Sequence, residues 1–155
     1  MSILSRSAIL TGMEKGWVRI EPFIEENVKA ASVELLLSNE YFELKKRDQP
    51  LTIDKYADIG DALELKKGGN SIELPPGKTI VCQTRERISL PDDIAGWITP
   101  RGRTVLRGLN LQVSTGFVQP GTRDKQLFFL VCNVGPNVVL LKTDDKICQL
   151  VLFRL

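Results

Sequence analysis

An all-β sandwich or barrel, preceded by one short helix, is the fold class that the sequence predicts, and three observations predict it. Apolar residues come in short runs, Gly and Pro cut between them (12 and 8 in 155 residues), and helical spacing is clear only near the start. That first element begins at Ser5, a plausible N-cap. Leu4 and Ile9 stand where a hydrophobic staple would meet, Ile9, Leu10 and Met13 give the apolar face, and Gly16 stops the helix. Trp17-Val18-Arg19-Ile20 reads as extended, and Pro22 bars a helix through it. Glu25 to Ala30 is a second small helix or an extended piece, and Ser32 to Leu37 is a buried strand. Lys45 to Gln49 before Pro50, and Lys66 to Asn70 with Gly68-Gly69, read as charged turns. Ser71 to Leu74 and Thr79 to Arg85 are strands hinged on Pro75-Pro76-Gly77. Later strands fit Trp97-Ile98-Thr99, Asn110 to Ser114, Gln126 to Asn133, Val138 to Lys142 and Lys146 to Arg154. The segments 77–83 and 144–150 echo each other, each a turn leading into a strand of similar pattern. Two copies make no repeat architecture, but they suit equivalent strands in a double sheet.

Composition narrows the chemistry. A chain of 155 residues, 43% hydrophobic and 26% charged, can fill one core and is short for two ordinary domains, so residues 1–155 are expected to form a single domain. A net charge of +2 gives no general pull toward nucleic acid, so any anion site must be local. No signal peptide or bilayer-length apolar run is evident, which points to a soluble, cytoplasmic protein with no membrane partner. Cys82, Cys132 and Cys148 lie in apolar runs without metal-type spacing and read as reduced, buried thiols. The chain has no histidine. Ser-His-Asp and Cys-His nucleophile pairs and His-based zinc sites are therefore excluded, and acid-base work would fall to carboxylates, Lys, Tyr, Cys or water.

The stretch from Ile98 to Gly121 holds the most pointed chemistry. Arg101, Arg103 and Arg107 crowd a Gly-containing turn, which suits an anion, yet no Asp or Glu occurs between Asp93 and Asp124. Trp17 and Trp97 read as core or interface anchors.

Several segments in order carry a family resemblance: Ile3-Leu4-Ser5, Ile20-Glu21-Pro22-Phe23, Glu26-Asn27-Val28, Ala31-Ser32-Val33-Glu34-Leu35, Leu74-Pro75-Pro76-Gly77, residues 88–96, Gly108-Leu109, Pro120-Gly121 and residues 146–150. Together they resemble the dCTP deaminase branch of the dCTP deaminase and dUTPase superfamily, over almost the whole chain. The resemblance implies a distorted jelly roll, a homotrimer, and active sites shared between subunits.

What it implies for residues can be carried over by position. Pro100-Arg101 matches the opening of the phosphate turn in the dUTPase branch, so Arg101 takes the phosphate role, which a guanidinium fork suits. Gly102 and Arg103 occupy the two hydroxyl positions, and Thr104 offers a hydroxyl one step later. The family's downstream Arg is either Arg107, if one residue is deleted, or replaced by Leu106, if the turn is gapless; Arg107 is taken as the equivalent. Arg101, Arg103, Thr104 and Arg107 form the phosphate-binding set. Gln119, Phe128, Phe129, Leu130 and Gln149 form the nucleoside-pocket set. The dUTPase-branch Asp falls on Gln119, which can position water but cannot take its proton, and the deaminase Glu falls on Leu130. Asp124 is the nearest surviving carboxylate, which leaves Asp124 and Gln119 as the catalytic candidates. Family enzymes continue into a tail that closes over nucleotide, whereas this sequence stops at Leu155, so a bound nucleotide is expected to lie exposed.

Plainer roles stand beside these. The three arginines could be a solvated turn or pair with carboxylates of a neighbouring subunit, Gln119 and Gln126 could satisfy buried backbone groups, Asp124 could be a solvated turn residue, and residues 128–130 read better as a buried or subunit-facing strand than as a base platform. Two functions follow. One is a non-catalytic homotrimer of pyrimidine deoxynucleotide metabolism that keeps a deoxynucleoside triphosphate-binding turn. The other is an active dUTP diphosphatase or dCTP deaminase in which Arg101 and Arg107 hold dUTP or dCTP, Gln119 orients water and Asp124 is the base. No metal is expected on protein ligands; Mg²⁺ would come with the triphosphate if the chain is active.

Overall fold

Strand β3, Val33–Leu44, organises the molecule, because the two halves of the main sheet meet on it. The computed structural model describes residues 1–53, 59–113 and 116–155. Ahead of β3 come β1 (Ser2–Ile3), α1 (Arg6–Glu14), β2 (Arg19–Glu21) and a 3-10 turn at Glu25–Asn27. Behind it come a second 3-10 turn (Ile59–Ala62), β4 (Leu63–Lys67), β5 (Ser71–Leu74), β6 (Thr79–Thr84), β7 (Arg87–Ser89) and β8 (Ile94–Pro100). The one-turn helix α2 (Gly102–Val105) leads into β9 (Leu109–Val113), β10 (Phe117–Val118), β11 (Phe128–Asn133), β12 (Val139–Lys142) and β13 (Lys146–Arg154). The main sheet runs β10-β8-β13-β3-β6-β11-β9, with β1 on β13 and β4 on β3. Its two outer strands, β9 and β10, are consecutive in the chain, and the sheet curls into the distorted jelly roll expected. Two small sheets, β12-β5 and β2-β7, complete it.

Local sequence explains the first helix. Ser5 is extended, and its hydroxyl accepts from the Ala8 N–H at 3.3 Å, satisfying one orphan donor. Leu4 and Ile9 are both buried, and Gly16 leaves the helix at φ +74°.

The crossing point in β3 is irregular for a physical reason. Through Leu36 the strand pairs with β13, and from Leu37 it pairs with β6, with register shifts on both sides. Leu36 N–H is left without a strand partner there. The Glu86 carboxylate accepts it, at 3.1 and 3.0 Å, while only 2% exposed. Burial pushes the Glu86 carboxyl above its ordinary 4.5, against the Leu36 N–H and the Arg85 charge, which favour ionisation. β6 and β13, the strands of the two segments that echo each other in sequence, both pair with β3, one on either side along the main sheet.

The core follows the strand alternation. On β11, Phe129 and Val131 are wholly buried, whereas Phe128 is 43% exposed and Leu130 half-buried on the outer face, where Phe128 meets Phe42 at 6.0 Å. Cys82 and Cys148 are buried, their thiols pushed up to about 12 chiefly by burial, and Cys132 is half-buried. Trp17 packs against the core, under the Arg154 guanidinium at 5.3 Å, while Trp97 is 51% exposed on the outer face of β8. Among the described residues no helix is long and apolar enough to cross a membrane.

Several boundaries differ from the sequence expectation. β3 runs on to Leu44, because β4 and β6 hydrogen-bond its second half. Lys66 and Lys67, expected in a turn, end β4. β1, β7 and β10 are too short to show a period and exist through their partners. Ser114, expected to end the strand from Asn110, lies outside the described residues.

Three stability measurements check this account. Phe129→Ala should cost about 3–5 kcal/mol in urea unfolding, and the same truncation at Phe128 clearly less. Gly108 sits at φ +80°, and a Cβ there would lie 2.8 Å from the Gly135 Cα. Gly108→Ala should therefore cost about 2 kcal/mol or more, since strained backbone and a backbone clash add. For Glu86, the folded state keeps a proton that the unfolded chain releases near pH 4.5, so stability falls as pH rises from there through the raised value. Unfolding followed against pH should reveal that slope in the wild type and lose it in Glu86→Gln.

Candidate functional site

The arginine-rich segment forms one wall of an open basin. β8 ends at Pro100, paired with Cys148 of β13, and the chain then turns through α2 before Gly108 redirects it into β9. This turn carries Arg101, Arg103, Thr104 and Arg107 to a cavity of about 360 Å³. The opposite wall is Val139 to Leu141 of β12 and Asp144 to Ile147 at the start of β13. The turn at Asp144-Asp145 is held against β3, since Leu37 N–H donates to the Asp145 carbonyl at 2.8 Å and Asp144 N–H to the Leu37 carbonyl at 3.0 Å. Arg85 pairs with Asp144 at 2.7 Å, and Asp145 accepts the Lys142 N–H at 2.9 Å.

The carboxylate absent from residues 94–123 comes from β3. Glu34 Oε1 lies 2.7 Å from Arg101 Nη2, and Oε2 lies 2.8 Å from Lys146 Nζ and 3.4 Å from Lys29 Nζ. Arg101 Nη1 also donates to the Lys146 carbonyl at 3.2 Å. The Glu34 side chain is only 7% exposed. Burial raises its carboxyl pKa, but the Lys146 hydrogen bond and the charges of Arg101, Lys146 and Lys29 outweigh burial and hold it below 4.5. Its contribution to stability is therefore present above pH 4.5 and lost as pH falls through the lowered value. Arg101 thus has a carboxylate partner within its own chain.

The other arginines are looser. Arg107 Nη1 donates to the Arg103 carbonyl at 3.0 Å, and among the described residues neither Arg103 nor Arg107 forms an ion pair. Arg107 lines the basin, whereas Leu106 is 87% exposed and does not. Thr104 is buried, and its hydroxyl donates to the Ile147 carbonyl at 3.4 Å, so that proton is directed at the β13 backbone. Four guanidinium and ammonium groups and one open concavity can bind a polyanion.

The remaining site candidates are scattered. Phe129 is a core residue and does not line the basin. Phe128 and Leu130 face outward on β11, two strands beyond β3, and Gln149 lies on β13 on the other side of β3, accepting from the Ser32 hydroxyl at 3.3 Å. Gln119 is exposed after β10. Asp124 stands at φ +46° on an exposed turn, where Arg87 Nε meets its carboxylate at 2.8 Å. That hydrogen bond holds the Asp124 pKa below its ordinary 3.8, which makes it a weaker base than a free carboxylate. Neither Gln119 nor Asp124 is among the residues lining the basin. Gln126 satisfies the backbone, donating to the Thr84 carbonyl at 2.9 Å.

Glu34 was passed over in the sequence reading, as were Asp144, Asp145 and Lys146. One signal pointed to Glu34: an acid inside the apolar run Val33 to Leu37, where a charge persists only if paired.

Comparison with known proteins gives this geometry a family. A family model described as dCTP deaminase-like matches residues 3–155. The chain is similar to proteins named "dCTP deaminase, dUMP-forming" from Methanopyrus kandleri (30% identical, covering 100% of this chain and 83% of the relative) and Streptomyces avermitilis (30%, 99% and 80%). One from Methanobrevibacter smithii is 27% identical over 97% of this chain and 79% of the relative. Among solved structures, the fold matches the 2′-deoxycytidine 5′-triphosphate deaminase of Agrobacterium tumefaciens with a TM-score of 0.77 at 16% identity, over 97% of this chain and 47% of that one. This chain thus spans about half of that solved chain. With a family model matched from Ile3 to the last residue and the same fold in a solved deaminase, the chain belongs to the dCTP deaminase-like family.

Proposed function

We propose that the chain is a homotrimer that grips the triphosphate of dCTP or dUTP and catalyses neither deamination nor pyrophosphate release. The observation that carries the binding half is the convergence of Arg101, Arg103 and Arg107 with Lys146 on one basin of about 360 Å³, within the range of small-ligand sites. The names of the relatives supply the nucleotide class. Any Mg²⁺ would come with the triphosphate.

The residue chemistry argues against turnover. A pyrimidine deamination or a water attack needs a group that accepts a proton, and the positions to which the family resemblance carries those groups hold the amide of Gln119 and the alkyl chain of Leu130. Asp124 is taken by Arg87. The nucleoside-pocket candidates are spread over one subunit, with Phe128 and Leu130 on β11, Gln149 on β13 and Gln119 after β10, so a base would have to meet them across copies in a trimer.

The test uses purified protein with dCTP or dUTP and Mg²⁺, following ammonia and pyrophosphate separately. Neither should be released. Release of either at enzyme-like rates overturns the non-catalytic half, and loss of that release in Asp124→Asn would make Asp124 the base. Binding should raise the melting temperature, as about 2.7 kcal/mol of stabilisation at a hundredfold excess over Kd would, and Arg101→Ala should abolish the rise. A monomer by light scattering would remove the trimer.

A further inference from the structure

Glu34 is a buried acid that the proposed binding chemistry does not use directly. It does not line the basin, yet it touches two residues that do, Arg101 and Lys146. We infer that Glu34 is a positioning residue that locks Arg101 and Lys146 into a fixed pair of cations for a polyphosphate in the basin. The inference rests on the anion reading of that basin.

Three features carry it. The contacts close a ring: Arg101 Nη2 to Glu34, Lys146 Nζ to Glu34, and Arg101 Nη1 to the Lys146 carbonyl. A guanidinium held at both terminal nitrogens cannot rotate about its Cζ–Nε bond, while its unused N–H groups stay available to a ligand. The contrast with Arg103 and Arg107 is the second feature, because those two are exposed, on α2 and just after it, and among the described residues form no ion pair. The third is electrostatic. Lys29, Arg101 and Lys146 would repel one another at this spacing, and only a carboxylate among them lets three cations share one place. A buried charge removed from such a cluster leaves the others without a fixed geometry.

A carboxylate could instead act as a rival anion that the ligand must displace, and the two roles differ in sign. Glu34→Gln makes the formal net charge more positive than +2. A rival anion or a simple charge effect then predicts tighter binding. Positioning predicts weaker binding, by about tenfold, the scale on which losing the partner behind a ligating group acts.

The experiment takes the full chain, inorganic tripolyphosphate as probe by calorimetry, and the ¹⁵N signals of the Arg101 side chain. Wild-type protein should display separate Nη1 and Nη2 signals. In Glu34→Gln they should merge, with the loss of affinity; Glu34→Asp should be intermediate in both. Wild-type affinity or tighter in Glu34→Gln, or separate Nη signals there, overturns the inference. Should Glu34→Gln fail to fold, Glu34→Asp decides, and wild-type values on both readouts overturn it. Wild-type protein that binds no tripolyphosphate overturns the basin reading, and the Nη signals alone then decide whether Glu34 holds Arg101.

Discussion

The passage of β3 from one half of the main sheet to the other is the constraint on which the remainder of the molecule depends. A strand that changes partners must leave a backbone donor stranded at the crossing, and a stranded donor inside a protein costs about as much as a lost hydrogen bond. Here the donor is Leu36 N–H, and a side chain from outside the strand, Glu86, accepts it. One residue later, Leu37 is bonded to Asp144 and Asp145 through its backbone. The crossing therefore also sets the turn that forms one wall of the basin. Fold and site meet at two adjacent residues of one strand.

Two buried carboxylates near this crossing obey opposite electrostatics. At Glu86, burial outweighs the Leu36 amide and the Arg85 charge, so its ionised form is disfavoured. Glu34 faces Arg101, Lys146 and Lys29, so attraction outweighs burial and its ionised form is favoured. The same residue type, similarly buried, thus serves backbone pairing in one place and cation clustering in the other. The neighbours decide which.

Legibility in the sequence followed the range of the interactions involved. Helix α1 could be read from Ser5, the Leu4 and Ile9 pair and Gly16 because capping acts within a few residues. β5, β12 and β13 could be read because their apolar patterns are local and bounded by Gly, Pro or charged turns. β1, β7 and β10 could not, being defined by hydrogen bonds to distant strands. The arginine turn was visible as a cluster, although its helical turn at Gly102–Val105 was not, since four residues carry no period. Alternation on β11 sends Phe129 inward and its neighbours outward, but which face is inside depends on register, and sequence alone leaves that open.

By itself, the sequence determined the fold class, the absence of imidazole chemistry and the arginine turn. These are matters of composition, short-range pattern and order. Only the tertiary structure decided that the gap in acids between Asp93 and Asp124 is filled at Arg101 by Glu34 from β3. It likewise decided that Asp124 is bound to Arg87, and that the four turn residues converge on one basin while the nucleoside candidates do not. The physical reason is that charge pairing acts through space over a few ångströms, and chain folding brings together residues that the sequence separates by dozens of positions.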